Sequence, residues 1–422
     1  MKVGVIVGII AVVLVAGIGG FVVAKRMSDP VGLKMEEARS VGLPVTIRDI
    51  FKTSLPPSEN AAGIVQQAID KIHDSESGDA DLKLVATAVV KGASDSDRQE
   101  GEKALKRLQP EMALIVKATK LPHCEFPIDW NHAAQTSFAY GATLKAMTKA
   151  FCLRAELQNS KADSQGPLES IETAHRIARL LAENHLLLPM LIQVACDSIV
   201  EISLHHIIDL RRRDARFLSS IKRLHDTFGP LPDFRQTAKT ELVYTLVQID
   251  QAKTLKDLLG ETADSASLLT EEDKHAARVH ALACNITFAR NWPKDDDWNA
   301  VHKAAQLAKQ ADPVDTSKVS KQTAAILKDL SLSIWEGLSD AVERLQARRR
   351  LTDTALQLFL QSAHDGRLPK QLPDFGLSRI DPFSGHPFTY QPSGAGFTLY
   401  GFGANRKDDH GDPRTDDVLT FD

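Results

Sequence analysis

Between residues 45 and 365 apolar positions recur at steps of three and four, the period of an amphipathic helix. After Pro56-Pro57-Ser58, residues Ala61, Ile64, Val65, Ala68 and Ile72 fall on one face, with Ser58 as the expected cap. The same spacing predicts helices over 82–90, 101–119 with Pro110 interrupting, 133–157, 168–182, 189–210, 217–228, 234–259, 276–288, 301–307 and 319–363. The connections are short and polar or proline-bearing, as in Ser94-Asp95-Ser96-Asp97 and Gly229-Pro230-Leu231-Pro232. Such loops favour antiparallel neighbours, hence a multi-helix antiparallel bundle or stacked helical hairpins. No repeat of fixed period is present.

Near the C-terminus the period changes from helical to alternating. Phe388-Thr389-Tyr390-Gln391, Phe397-Thr398-Leu399-Tyr400 and Val418-Leu419-Thr420-Phe421 read as three short strands, the first two joined by a glycine-bearing turn. Three strands need a helix to cover one face, and the helix that stops at Gly366 and Pro369 supplies it. The predicted fold is therefore mainly α, with a small C-terminal antiparallel β-unit packed on a long helix.

The other end predicts an N-terminal transmembrane helix. No charge occurs between Val3 and Ala24, and a helix of that length spans about 33 Å, enough for a bilayer core. A cleaved signal peptide is the competing reading, but its apolar region would be shorter and would end in a small-residue site. Gly4 with Gly8, and Ala16 with Gly20, have the spacing that lets two such helices approach, which allows a homodimer through the anchor, although small residues are common in such helices. The expected division is an anchor at 1–27 with residues 3–24 in lipid, a helical domain at 28–334, and a helix plus β-unit at 335–422.

With 422 residues, 43% of them hydrophobic, the remainder is long enough for one large core or two medium ones. A net charge of −4 argues against a nucleic-acid binder that relies on a basic surface. Two basic clusters, Arg211-Arg212-Arg213 with Arg216 and Arg348-Arg349-Arg350, read as solvated cations at helix ends.

Leu186 to Leu210 is the most apolar segment after the anchor and is expected to be the central helix. Along it Gln193, Asp197, Glu201, His205 and Asp209 recur every four residues. We read them as a polar stripe facing water or a neighbouring basic helix, so that Glu201→Gln and His205→Gln would act as surface changes. The competing reading is a metal-dependent hydrolase using Asp197, Glu201 and His205, or the His123-Cys124 loop. Cys152, Cys196 and Cys284 sit in apolar helical runs as core residues, whereas Cys124 is the one placed to react or pair. No His-Glu-x-x-His, Gly-x-Ser-x-Gly, phosphate loop or dinucleotide fingerprint is present, so a non-enzyme is expected.

Asp408, Asp409, Asp412, Asp416 and Asp417 crowd between the second and third strands. Repelling carboxylates in an ordered loop call for a neutraliser, and Ca²⁺ with its oxygen ligands is the expected one. Gly366-Arg367-Leu368-Pro369, the run Asp381-Pro382-Phe383-Ser384-Gly385-His386-Pro387-Phe388, Tyr400-Gly401-Phe402-Gly403 and the closing aspartates together resemble the C-terminal unit of the major pseudopilin of type II secretion, whose last loop binds calcium. The resemblance covers about 350–422, and implies Asp416 and Asp417 as ligands; the Asp-Gly of that family is replaced by Asn405-Arg406. The processed pilin start is missing, since Gly20-Phe21 stands at the far end of the apolar stretch and no glutamate follows. Pro56 to Ala62 and Cys124 to Asp129 are also similar to a group of uncharacterised membrane-anchored bacterial proteins carrying such a unit.

These readings predict a single-pass inner-membrane protein that binds or scaffolds another protein, with an accessory role in a secretion system as the alternative. The charges flanking the anchor do not orient it, and the calcium reading places the body in the periplasm.

Overall fold

The computed structural model describes residues 29–50, 55–90, 92–133, 136, 138–160, 164–259, 268–293, 297–310 and 333–421. The expected anchor at 3–24, with Gly4, Gly8, Ala16 and Gly20, lies outside the described residues. The described helices are α1 (Pro30–Ser40), α2 (Ile47–Ile50), α3 (Ala62–Asp74), α4 (Gly78–Ala88), α5 (Asp95–Arg107), α6 (Gln109–Ala118), α7 (Ala139–Ser160), α8 (Gly166–Leu180), α9 (Leu187–Leu210), α10 (Ala215–His225), α11 (Phe234–Gln251), α12 (Leu255–Leu259), α13 (Glu271–Arg290), α14 (Trp298–Gln310) and α15 (Ser333–Asp365). Three strands follow, β1 (Thr389–Ser393), β2 (Gly396–Gly401) and β3 (Asp417–Phe421). The chain is thus mainly helical with a small antiparallel sheet near its end, as the two periodicities predict.

Capping explains several boundaries. Ser94 and Thr270 each form a reciprocal capping box with the aspartate three residues on, fixing the starts of α5 and α13. Pro110 falls in the first turn of α6, where a missing N–H costs nothing, so the 101–119 segment divides at Leu108. Ser58 is not the cap of α3. The helix starts four residues later, and Asn60 Oδ1 accepts from Ala62 N at 3.1 Å while Asn60 Nδ2 donates to Glu125 O at 3.0 Å.

Helices α7 and α9 form the middle of the body, α9 lying against α7, α8 and α15. By length and composition alone α9 would also pass for a membrane span, but 61% of it is buried within the protein, so it is a core helix. Helices α9 and α15 run in the same direction, because Asp197 meets Arg349 and, one turn on, Glu201 meets Thr352. Helix α1 packs on α13, and Ala38 with Leu43 and Val45 of the segment after α1 shares a cluster with Leu282 and Ile286 of α13.

The sheet order is β1-β2-β3, both pairs antiparallel, with Leu399 opposite Tyr390 on one side and Leu419 on the other. Phe397 and Phe421 pack their rings on Phe359 of α15, each at 5.0 Å between centroids. This is the predicted helix-covered face. The side chains of Leu351, Ala355, Leu399 and Leu419 belong to the same apolar core as Val65, Phe151 and Ile207, so the sheet and the helical body share one core. Helix α15 ends as expected, with Gly366 at φ +74 beyond its last turn. After β2 the chain passes so close to its own return that a Cβ on Gly403 would stand 1.7 Å from the Thr415 carbonyl oxygen. Only glycine fits there.

Candidate functional site

The stripe on α9 does not face water. Gln193, Asp197 and Glu201 are each about 1% exposed, because α8, α10 and α15 close over them. A neighbouring basic helix does meet the stripe, and it is α15. Arg348, Arg349 and Arg350 lie within that helix rather than at its end, with the side chain of Arg349 only 13% exposed, which corrects their reading as solvated terminal cations. Arg211 to Arg213 do follow the last turn of α9 as predicted.

Asp197 accepts from Arg349 Nη2 at 3.1 Å and faces His175 Nδ1 at 2.9 Å, with Arg179 Nη2 at 3.9 Å. Arg349 Nη1 and Arg179 Nη1 donate to the backbone carbonyls of Gly229 and Pro230, so the loop after α10 becomes the lid of the network. The His175 ring stacks on Phe228 of the same loop at 4.0 Å. One turn on, Glu201 accepts from Thr352 Oγ1 at 2.7 Å and lies 3.3 Å from His225 Nε2. Since a hydroxyl has one proton, its donation to Glu201 leaves His205 Nε2, 2.7 Å from the same oxygen, as the donor to Thr352.

The electrostatics follow from these partners. Burial opposes ionisation of Glu201, but His225, Arg349 and the Thr352 hydroxyl outweigh it and hold the carboxyl at about 2. Burial also pushes His205 down to about 4 and His175 below its ordinary value, so both imidazoles are neutral at pH 7. Two carboxylates therefore face two guanidiniums in a dry interior, and every carboxylate is hydrogen-bonded. Asp209 lies apart, exposed at the end of α9 and paired with Arg212 at 3.1 Å. The hydrolase reading needs these groups to converge on a pocket; instead Asp197 and Glu201 are buried against α15 and hydrogen-bonded there.

The second candidate loop is closed too. Cys124 is about 1% exposed, and burial pushes its thiol up to about 12, which removes the thiolate that reaction or pairing requires. Glu183 holds the loop by accepting from Cys124 N at 3.0 Å, with His123 Nδ1 at 3.2 Å. Cys152, Cys196 and Cys284 are buried thiols and form no disulfide, as core residues should.

The five terminal aspartates do not point at a common centre. Asp416 accepts from the backbone N–H of Gly411 at 2.8 Å, Asp409 takes the side-chain amide of Asn405 at 2.6 Å, and Asp408 accepts from His410 N at 2.9 Å. Asp412 is paired with Arg414 through Nε at 3.0 Å. Asp417 turns inward toward Arg344 at 3.9 Å, and burial raises its carboxyl to about 6. Among the described residues no three His, Cys, Asp or Glu side chains gather as metal ligands. The buried acid that shapes this region is one the sequence reading did not single out, Glu343 of α15, which accepts from Arg406 Nη2 at 2.6 Å. No local pattern marks it, because its partner lies 63 residues away.

Compared with protein-family models, with curated proteins and with solved structures, the chain finds no match in any of the three.

Proposed function

We propose that this chain is a membrane-anchored, non-catalytic protein-binding scaffold, with a helical body and a C-terminal β-unit fastened to its long helix. The observation that carries this reading is the closure of the Asp197–Arg349–Glu201 network. Catalytic groups must reach a substrate, and the two carboxylates of the richest acid-base constellation among the described residues are about 1% exposed with partners supplied internally. The anchor rests on the uncharged stretch from Val3 to Ala24. Calcium belongs to this reading as a clasp on the terminal loop, acting on its folding and not on any reaction.

Photo-crosslinking side chains placed at the exposed apolar positions Ile202, Leu210 and Leu377 test the scaffold role in cells. A discrete protein crosslinked at one of these sites and not at the others is the expected result. Uniform absence of crosslinks, with loss of a measurable hydrolytic activity on Glu201→Gln, would overturn it. Location is tested separately: protease admitted through the outer barrier with the inner membrane intact should digest the body, and full protection would place it in the cytoplasm.

A further inference from the structure

The contact between the terminal loop and α15 is built from an unbalanced set of charges. Glu343 is about 1% exposed in the first third of α15. Arg406 reaches it from the loop, donating through Nη2 at 2.6 Å. The backbone of Arg406 is held at φ +56, with its N–H on Gly403 O at 2.9 Å, and its guanidinium lies 5.4 Å from the centre of the Phe383 ring. The loop thus presents this one side chain to the helix from a fixed position.

The charges around the pair come from three elements. Helix α15 contributes Glu336, Asp340 and Arg344; α14 contributes His302, 3.3 Å from Asp340, and Lys309, 3.7 Å from Glu336; Asp297 precedes α14. Arg406 stands 3.7 Å from Asp340 as well as on Glu343. With the acids ionised and His302 neutral, four carboxylates (Asp297, Glu336, Asp340 and Glu343) face three permanent cations (Lys309, Arg344 and Arg406), and Arg344 is shared with Asp417. One proton balances the set, and the most deeply buried of the four acids is Glu343.

We propose that Glu343 and Arg406 form a proton-operated latch that holds the C-terminal sheet on α15, tightening when a proton is taken up and loosening when it leaves. Burial, reinforced by Asp340 and Asp297 and opposed by Arg406, raises the Glu343 carboxyl to about 7, which puts the transition at neutral pH. For an acid raised on docking, the stabilisation is full below its ordinary value of 4.5 and is lost as pH rises through 7.

The test is amide hydrogen exchange on the full chain in detergent, comparing protection at pH 8 and pH 6 after correction for intrinsic rates. Protection of the β2 and β3 amides should rise by roughly tenfold at pH 6, from linkage at one site, while α7 amides do not follow. In Glu343→Gln the sheet should show equal protection at both pH values. Protection independent of pH in the unsubstituted chain, or a rise shared equally by α7, overturns the latch. So does a Gln variant that keeps the full dependence; should that variant fail to fold, Asp417→Asn is compared instead, since the buried Asp417 of β3 is also raised, to about 6, and a dependence lost there overturns the latch.

Discussion

Glu201 and Glu343 are buried to the same degree, about 1% exposed; Glu343 belongs to α15 and Glu201 reaches α15 from α9. Glu201 is held at about 2 and Glu343 is raised to about 7. Depth therefore does not set the charge state; the number and sign of the partners does. Glu201 is met by a hydroxyl, an imidazole and the Arg349 guanidinium, which it shares with Asp197, while Asp197 also has His175 and Arg179 beside it. Glu343 is met by a single guanidinium that Asp340 also claims. One region is a closed structural knot and the other is a contact sensitive to protons.

Breaking the knot should give the largest effect. Arg349→Met leaves Asp197 buried without its strongest donor and should lower body stability by about 3–5 kcal/mol. The sequence-based expectation for Glu201→Gln, a surface change of 0 to about 1 kcal/mol, fails for the same reason. That variant keeps the Thr352 contact but loses the charge opposite Arg349, and about 1–3 kcal/mol is expected. Denaturant unfolding measures both, and a loss below about 1 kcal/mol for Arg349→Met would show that the interior admits water.

A smaller effect sharpens the contrast by its sign. His205 is depressed by burial to about 4, so the unfolded chain binds its proton first as pH falls. That contribution is complete above pH 6.5 and should decline by roughly 2 kcal/mol between pH 6.5 and 4.5. The body then weakens on acidification over a range where the sheet contact strengthens. Calorimetry across this range should show the body transition falling while sheet protection holds; parallel loss of both would remove the distinction.

Calcium should have the smallest effect. A ligand that binds only the ordered loop stabilises it by RT ln(1 + [L]/Kd), about 2.7 kcal/mol at a hundredfold excess. Because Asp416, Asp409 and Asp412 already have protein donors, we expect less than about 1 kcal/mol between millimolar Ca²⁺ and chelator. A shift near the larger figure, abolished by Asp417→Ala, would mean that the loop gives up these contacts and clasps the ion with its aspartates.

The periodic features were legible in the sequence. The three-and-four spacing located most helices of the body, and alternation located all three strands to within two residues. What could not be read was the far partner of each polar side chain. Asp197 and Glu201 share a face by spacing alone, but whether that face meets water or arginine depends on α15, about 150 residues on. Cys124 illustrates the same gap. Its proline-flanked loop looks exposed, yet Asn60, Glu183 and Asn184 clamp the backbone from two distant segments and bury the thiol.

The parallel pairing of α9 with α15 also constrains biosynthesis. Asp197 leaves the ribosome 152 residues before Arg349, an interval of roughly 8–30 s at 5–20 residues per second. Throughout it the most apolar helix of the body lacks the arginine that Asp197 and Glu201 share, so its final packing waits for the last quarter of translation. The nascent chain is then a substrate for chaperones in proportion to that delay, and slowing elongation between codons 210 and 349 should raise its aggregation more than slowing it elsewhere.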